Sequence, residues 1–361
     1  MKRILLLPCL LIMAAVAWAQ GPNSSGSYYQ AADGKKGAAL KTALCGIIYN
    51  RNEGGSLDKA YKALWTHFQT TDKRDDGCVW DMYSGISNYT FGSPYQDNGS
   101  GGSEEWITTG PEKDGKYNRE HSFPNSWFGG KVMPMYTDLH HMYPTDKLVN
   151  NKRSNYPFGE TDGANYGTTK GYKSANSFSK LGANTYPGYS GMVFEPNDIY
   201  KGDFARTYFY MVTCYEEKLP DWYDKYSDSR PTLDGSTYPG FQTWQLKMLM
   251  EWADKDPVSE KEINRNNAVY DIQENRNPFI DYPGLEEYVW GSMTDVAFSY
   301  DHYVRPEDYS GIIKGVVSFD ETKPNTIIYD LQGRKVGTTV NGTPHLKKGV
   351  YIMSGRKVIA K

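Results

Sequence analysis

The chain has 361 residues, 39% hydrophobic and 23% charged, a balance that excludes a disordered polypeptide and leaves room for one large domain and a small one. Its formal charge of −3 excludes attraction to nucleic acid through overall charge. The 30 tyrosines, 13 phenylalanines and 9 tryptophans predict an aromatic-rich core without specifying a ligand.

Residues 1–19 read as a signal peptide. Lys2 and Arg3 precede an apolar run from Ile4 to Val16, and Ala17-Trp18-Ala19 has the small-x-small form of a cleavage site. The run is too short for a membrane span, and no later segment is long and apolar enough to cross a bilayer. Cys9 sits in this run without preceding small residues, which favours removal over lipid attachment. Cleavage takes the 40 basic residues to 38, against 43 acidic ones. Cys45, Cys78 and Cys214 remain; this odd set allows at most one internal disulfide, and three pairings stay open. The spacings match no zinc pattern.

Residues 20–36, rich in Gly, Ser, Asn and Gln, read as a flexible leader. Leu57, Tyr61, Leu64 and Phe68 recur at helical spacing with Ser56 as N-cap. Residues 76–89 read as a strand or extended segment, and 91–110 as a loop. Strands are expected near 117–123 and 138–143, the second ended by Pro144, with Thr145 capping a helix over 146–153. Residues 161–190 read as mostly loop. An amphipathic helix is expected through Phe204, Ala205, Tyr208, Phe209, Val212 and Tyr215, and another through Phe241, Trp244, Met248, Leu249 and Trp252. A third starts after Asp256-Pro257, with Ser259 and Glu262 as a capping box, and runs to about Ile272. Beyond Arg305-Pro306, β-branched runs at 311–317, 325–329, 349–353 and 357–361 predict a small all-β domain over 306–361.

The chemistry concentrates between Tyr117 and Gly159, which holds His121, His140 and His141, three of the chain's six histidines. From Lys116 to Arg153, six cations (Lys116, Arg119, Lys131, Lys147, Lys152, Arg153) face three anions (Glu120, Asp138, Asp146), so this stretch alone can draw a polyanion. Phosphodiester hydrolysis needs a base, a cation on the phosphate and a means of holding the backbone in line. His121 suits the base, because neutral imidazole is available near pH 7. Glu120 and Asn150 offer hard oxygens suited to Mg²⁺. Arg119, Lys147, Lys152 and Arg153 can hold phosphates. Each has a plainer reading: a structural histidine, a solvated Arg119–Glu120 pair, or an ordinary helix-end pair Asn150-Asn151. His140 and His141, neighbours in an expected strand, face opposite ways; His140 is favoured for the site because it shares a face with Asp138. Glu120 and His121 are adjacent too, so both serve one metal site only if the backbone bends there.

The runs Asn118-Arg119-Glu120-His121-Ser122-Phe123-Pro124-Asn125-Ser126-Trp127, Asp138-Leu139-His140-His141-Met142-Tyr143-Pro144 and Asn150-Asn151-Lys152-Arg153-Ser154-Asn155 resemble the bacterial endonuclease I family. So do Lys201-Gly202-Asp203-Phe204-Ala205-Arg206 and Asn275-Arg276-Asn277-Pro278-Phe279; the likeness covers about residues 40 to 292. The resemblance implies an α+β nuclease domain over 37–305, with a ββα-metal (His-Me finger) core embedded in helices. It implies a monomeric, secreted or cell-surface enzyme that cuts DNA, and in many members RNA, without sequence specificity. His121 matches the general base, and Glu120 and Asn150 match the metal ligands. The ion is Mg²⁺, with Mn²⁺ and Ca²⁺ as alternatives. Arg119, Arg153 and Arg206 compete for the transition-state arginine, Arg153 first because it shares a helix face with Asn150; Asp138, His140, Lys147, Asn151 and Lys152 complete the expected lining. The run Tyr329-Asp330-Leu331-Gln332-Gly333-Arg334-Lys335-Val336, with Gly349-Val350-Tyr351-Ile352, resembles C-terminal sorting domains of type IX export, so export machinery is an expected partner. The rival readings are a nonenzymatic nucleic-acid-binding or surface protein on a nuclease fold, and a zinc hydrolase using His121 and His140.

Overall fold

The computed structural model describes residues 21–49, 61–84, 91, 106–107, 116–165 and 179–308, and the backbone of 327–329, 335–338, 349–353 and 356–360. In chain order the elements are α1 (Gly37–Tyr49), α2 (Leu64–Thr71), β1 (Trp106–Ile107), β2 (Lys116–His121), β3 (Met142–Asp146), α3 (Lys147–Arg153), β4 (Ala164–Asn165), β5 (Lys180–Ala183) and β6 (Met192–Glu195). There follow α4 (Lys201–Cys214), α5 (Leu219–Lys225), α6 (Thr243–Lys255), α7 (Glu260–Gln273), α8 (Pro278–Asp281) and α9 (Leu285–Val289). Last come β7 (Ile327–Tyr329), β8 (Lys335–Thr338), β9 (Gly349–Met353) and β10 (Arg356–Ala360). Helices and small antiparallel sheets together make an α+β chain. The sheets have the orders β1-β2-β3, β4-β5-β6 and β10-β9-β7-β8.

Helix α4 is the axis of the large unit, with α1, α6 and α8 packed on it. A one-sided apolar stripe was the expectation, yet all fourteen residues of α4 are buried. Most of its polar side chains tolerate burial because they meet partners, Thr213 being the exception. Asp203 pairs with Lys261, Arg206 with Glu262, Tyr208 donates to the Ser122 carbonyl and Tyr210 to Asp138. Helix α6 buries the expected Trp244, Met248, Leu249 and Trp252. Helix α7 carries the expected capping box between Ser259 and Glu262. Helix α1 was not anticipated, although Leu40, Leu44 and Ile48, all fully buried, mark one helix face at every fourth residue.

Several expectations change. Residues 21–36 are not a loose leader: Tyr29 and Ala32 are fully buried, and the Tyr29 hydroxyl donates to Asp281 at 2.8 Å. Among the described residues the segment from Asp76 makes one bridge, Lys73 with Val79, then turns, because the Asp81 carboxylate accepts from the Tyr83 and Ser84 amides; residues 85–89 lie outside the described set. Within 161–190, β4 and β5 pair where loop was expected. The glycines there serve close strand approach: a Cβ on Gly163 would stand 2.0 Å from the Leu181 carbonyl oxygen. Finally, β3 starts after the two histidines. Asp138 accepts from the His140 amide with its side chain and from the His141 amide with its carbonyl, closing a turn. Pro144 lies inside β3 opposite Arg119, tolerated because β3 is a sheet edge. The cap of α3 is Asp146, which accepts from the Val149 amide at 2.9 Å, rather than Thr145. Ser56, Leu57 and the run 311–317 lie outside the described residues.

Candidate active site

Strand β2 sorts the candidate residues by face. Its register with β3 runs without a shift from Tyr117 opposite Asp146 to His121 opposite Met142, so alternate side chains point opposite ways. Arg119 and His121 share one face and meet aromatic rings. Glu120 takes the other and meets Tyr83 and α3, so the bend expected between Glu120 and His121 is not found: Glu120 faces the helix of Asn150, and His121 ends the strand on the opposite face.

His121, the last residue of β2, is 7% exposed. Its Nε2 lies 3.0 Å from the Tyr136 carbonyl oxygen. A carbonyl only accepts, so Nε2 carries the proton and, in the neutral ring, Nδ1 holds the lone pair. The imidazole stays neutral across the physiological range. Burial drives its pKa down to about 3, assisted by His141, Arg119 and Arg153 and only partly opposed by the Tyr136 carbonyl. The Tyr136 ring stacks on it at 5.1 Å between centroids, and His141 stands 5.5 Å away. The backbone beneath is pinned. Arg153 donates to the carbonyls of His121 and Ser122, Tyr208 donates to the Ser122 carbonyl, and the Ser122 amide donates to the His141 carbonyl.

Glu120 is 5% exposed. The Tyr83 hydroxyl donates to its Oε1 at 2.9 Å, and Arg153 Nη1 is 3.3 Å from the same oxygen. Burial raises its pKa to about 7 in spite of both partners. Arg153 reaches it from α3, the helix that carries the half-buried Asn150 one turn earlier. A carboxylate on β2 facing the helix of a carboxamide is a donor set that fits a hard divalent ion keeping several waters. Among the described residues no three His, Cys, Asp or Glu side chains converge as a full protein cage would require.

The remaining candidates divide. Arg153 is 1% exposed and its guanidinium is committed to the carbonyls of His121, Ser122 and Ser154, to Glu120 and to the Tyr208 hydroxyl. Arg119 is 3% exposed, with its guanidinium carbon 3.4 Å from the Tyr61 ring centroid. Arg206 holds Glu262 through Nε and Nη2. Asp138 is a buried hub accepting from Tyr210, Tyr215 and Gln273. Burial alone would raise its pKa, but His140, His141 and these donors hold it below the usual value. The geometry reverses the expected order of the two histidines. The His140 ring packs on Tyr210 and meets the Asn275 carbonyl, whereas His141 lies beside His121. They sit in a turn, so strand alternation does not govern them. Asn151 and Lys152 are exposed on α3, and the side chain of Lys147 lies outside the described set. Sequence reasoning missed Tyr61, Tyr83 and Tyr136. Tyr61 and Tyr83 belong to segments distant in the chain, so no local pattern pointed to them.

The sequence has known relatives. The profile of the Endonuclease I family matches residues 36–284. The chain belongs to the Endonuclease I family. It is 34% identical to the extracellular ribonuclease of Bacillus amyloliquefaciens over 268 residues, spanning 73% of this chain and 78% of that protein. The extracellular ribonuclease of Bacillus subtilis (strain 168) is likewise 34% identical over 270 residues, with the same coverage. Endonuclease-1 of Buchnera aphidicola subsp. Baizongia pistaciae is 28% identical over 151 residues, 40% of this chain and 46% of that protein. Family membership makes the chain a nuclease, and its site is to be sought within 36–284, where all the candidate residues fall.

Proposed function

We propose that the chain is an exported, divalent-metal-dependent endonuclease that hydrolyses phosphodiester bonds of DNA and RNA without sequence specificity. The reading rests on one observation above the others: a buried His121 whose Nε2–H is tied to a carbonyl, which leaves Nδ1 as the base. In the proposed reaction Nδ1 takes a proton from water, and the hydroxide attacks phosphorus in line with the 3′ oxygen. The P–O3′ bond breaks, the 3′ oxygen gains a proton from solvent, and the products carry a 5′ phosphate and a 3′ hydroxyl. Glu120 and Asn150 would hold Mg²⁺, which when bound supplies positive charge to the phosphate and the leaving oxygen. Arg153 keeps the His121–Ser122 backbone in place and faces Glu120. The exposed Lys152 on α3 offers charge to the nucleic-acid backbone.

Action on RNA is supported by the relatives named ribonuclease, and action on DNA by the family resemblance and by a site read as contacting backbone rather than bases. Export is supported by the leader-like residues 1–19 and by the extracellular relatives. The C-terminal strands are read as a sorting domain. Digestion of supercoiled plasmid and of RNA by the purified mature chain, in EDTA, Mg²⁺ or Ca²⁺, tests the proposal. Cleavage of both substrates with Mg²⁺ and none in EDTA is expected. DNA binding without cleavage in any metal would favour the nonenzymatic reading, and full activity in EDTA would remove the metal from the account.

A further inference from the structure

A single hydrogen bond fixes one atom of an imidazole but not its plane. His121 needs a second restraint if Nδ1 is to keep one direction, and the structure shows where it comes from. Tyr136 accepts from Nε2 with its carbonyl and also lays its ring against the imidazole, with planes 18° apart. Tyr61 in turn stacks on Tyr136 at 4.4 Å and 19°, and lies 9° from parallel with His121 itself. Arg119 then lies over the Tyr61 ring at 3.4 Å, with Trp65 at 4.8 Å, and donates from Nη1 to the Tyr61 carbonyl. Arg119 and His121 are two residues apart on one face of β2. The strand therefore presents both ends of the assembly: the imidazole, and the cation that fastens the rings against it.

We infer that Arg119 and Tyr61 are positioning residues that set the plane and tautomer of the His121 imidazole through Tyr136, and that Arg119 is not a phosphate contact. The inference rests on His121 being the base. Stacked near-parallel rings resist rotation of the imidazole out of plane, and a guanidinium over an aromatic face adds an attraction of defined geometry. Because Arg119 is 3% exposed, a phosphate could reach it only by dismantling this packing.

The test compares wild type, Tyr61→Phe, Tyr61→Leu, Arg119→Lys and His121→Ala as full mature chains. Two readouts are taken on each: steady-state cleavage of an oligonucleotide, and long-range ¹⁵N–¹H correlation NMR of selectively labelled histidine. Tyr61→Phe keeps the ring and is expected to match wild type in both. Tyr61→Leu keeps apolar volume but no ring face; kcat is expected to fall by about 10- to 100-fold with KM within twofold, and His121 to show mixed tautomers. Arg119→Lys is expected to lower kcat in the same sense and leave KM unchanged. A wild-type kcat for Tyr61→Leu, a single Nε2–H tautomer in that variant, or an Arg119→Lys loss carried by KM overturns the inference. Should Tyr61→Leu be too unstable to assay, the rate and tautomer in Arg119→Lys decide alone. His121→Ala separates the two layers. If it still turns over like wild type, the proposed function fails; if it is inactive while Tyr61→Leu is fast, only the positioning role fails.

Discussion

Glu120 gives a prediction in which sign and size both follow from the structure. Its carboxyl is buried beneath Tyr83 and Arg153, and its pKa rises from the ordinary 4.5 to about 7. Between these values the folded chain holds a proton on Glu120 that the unfolded chain has released. The Glu120 contribution is therefore fully present below pH 4.5, falls as pH climbs, and is lost above about 7. One pKa unit corresponds to about 1.4 kcal/mol, so the interval amounts to roughly 3 kcal/mol. Glu120→Gln mimics the protonated side chain and does not titrate, so the variant escapes this loss. The assay is urea unfolding of wild type and Glu120→Gln in EDTA at several pH values from 4 to 8. Whatever the offset at pH 4, stability of the variant relative to wild type should rise by roughly 2–3 kcal/mol and level off above pH 7. The same substitution should weaken the metal dependence of cleavage. A stability difference that stays flat across the range would refute the reasoning, because it would mean that Glu120 ionises normally in the folded state.

Other consequences can be measured independently. Arg206→Met strands the buried Glu262 carboxylate and should cost about 3–5 kcal/mol by denaturant unfolding, whereas Arg206→Met with Glu262→Gln, which removes the charge and can keep the capping box with Ser259, should recover much of it. Gly163→Ala forces a methyl against the Leu181 carbonyl and should lower stability by about 1–3 kcal/mol, read as a lower melting temperature. His140→Asn should change the plasmid cleavage rate by less than about tenfold, a change worth 1.4 kcal/mol, because the ring faces Tyr210 and the Asn275 carbonyl rather than His121.

Local features of this fold were legible in the sequence where a side chain acts on its own segment. The Ser259–Glu262 box, the buried stripe of α6 and the strand Gly349–Met353 all appear as read. Readings failed where a distant partner decides the outcome. Helix α4 was read as one-sided because its polar residues looked solvent-facing, yet Lys261, Glu262, Ser122 and Asp138 supply their partners from elsewhere. The Gly-rich segment around Gly163 looked like loop because a glycine's value in strand approach depends on the neighbouring strand. The run from Asn118 to His121 falls on strand β2, and the pairing with β3 fixed which residue faces which way. The ring assembly around His121 was not legible, since Tyr61, Tyr136 and Arg119 meet only after the chain folds. His140 and His141 do not alternate as expected, because Asp138 builds a turn where a strand was expected.

The central claim is that His121 is the base. Single-turnover cleavage of plasmid DNA and of RNA by His121→Ala in Mg²⁺, with circular dichroism and Mg²⁺ titration on the same preparation, tests it most directly. The account predicts a loss of about 10²- to 10⁴-fold in rate on both substrates, with the fold and ion binding retained. Turnover within a few-fold of wild type by that folded variant would contradict it.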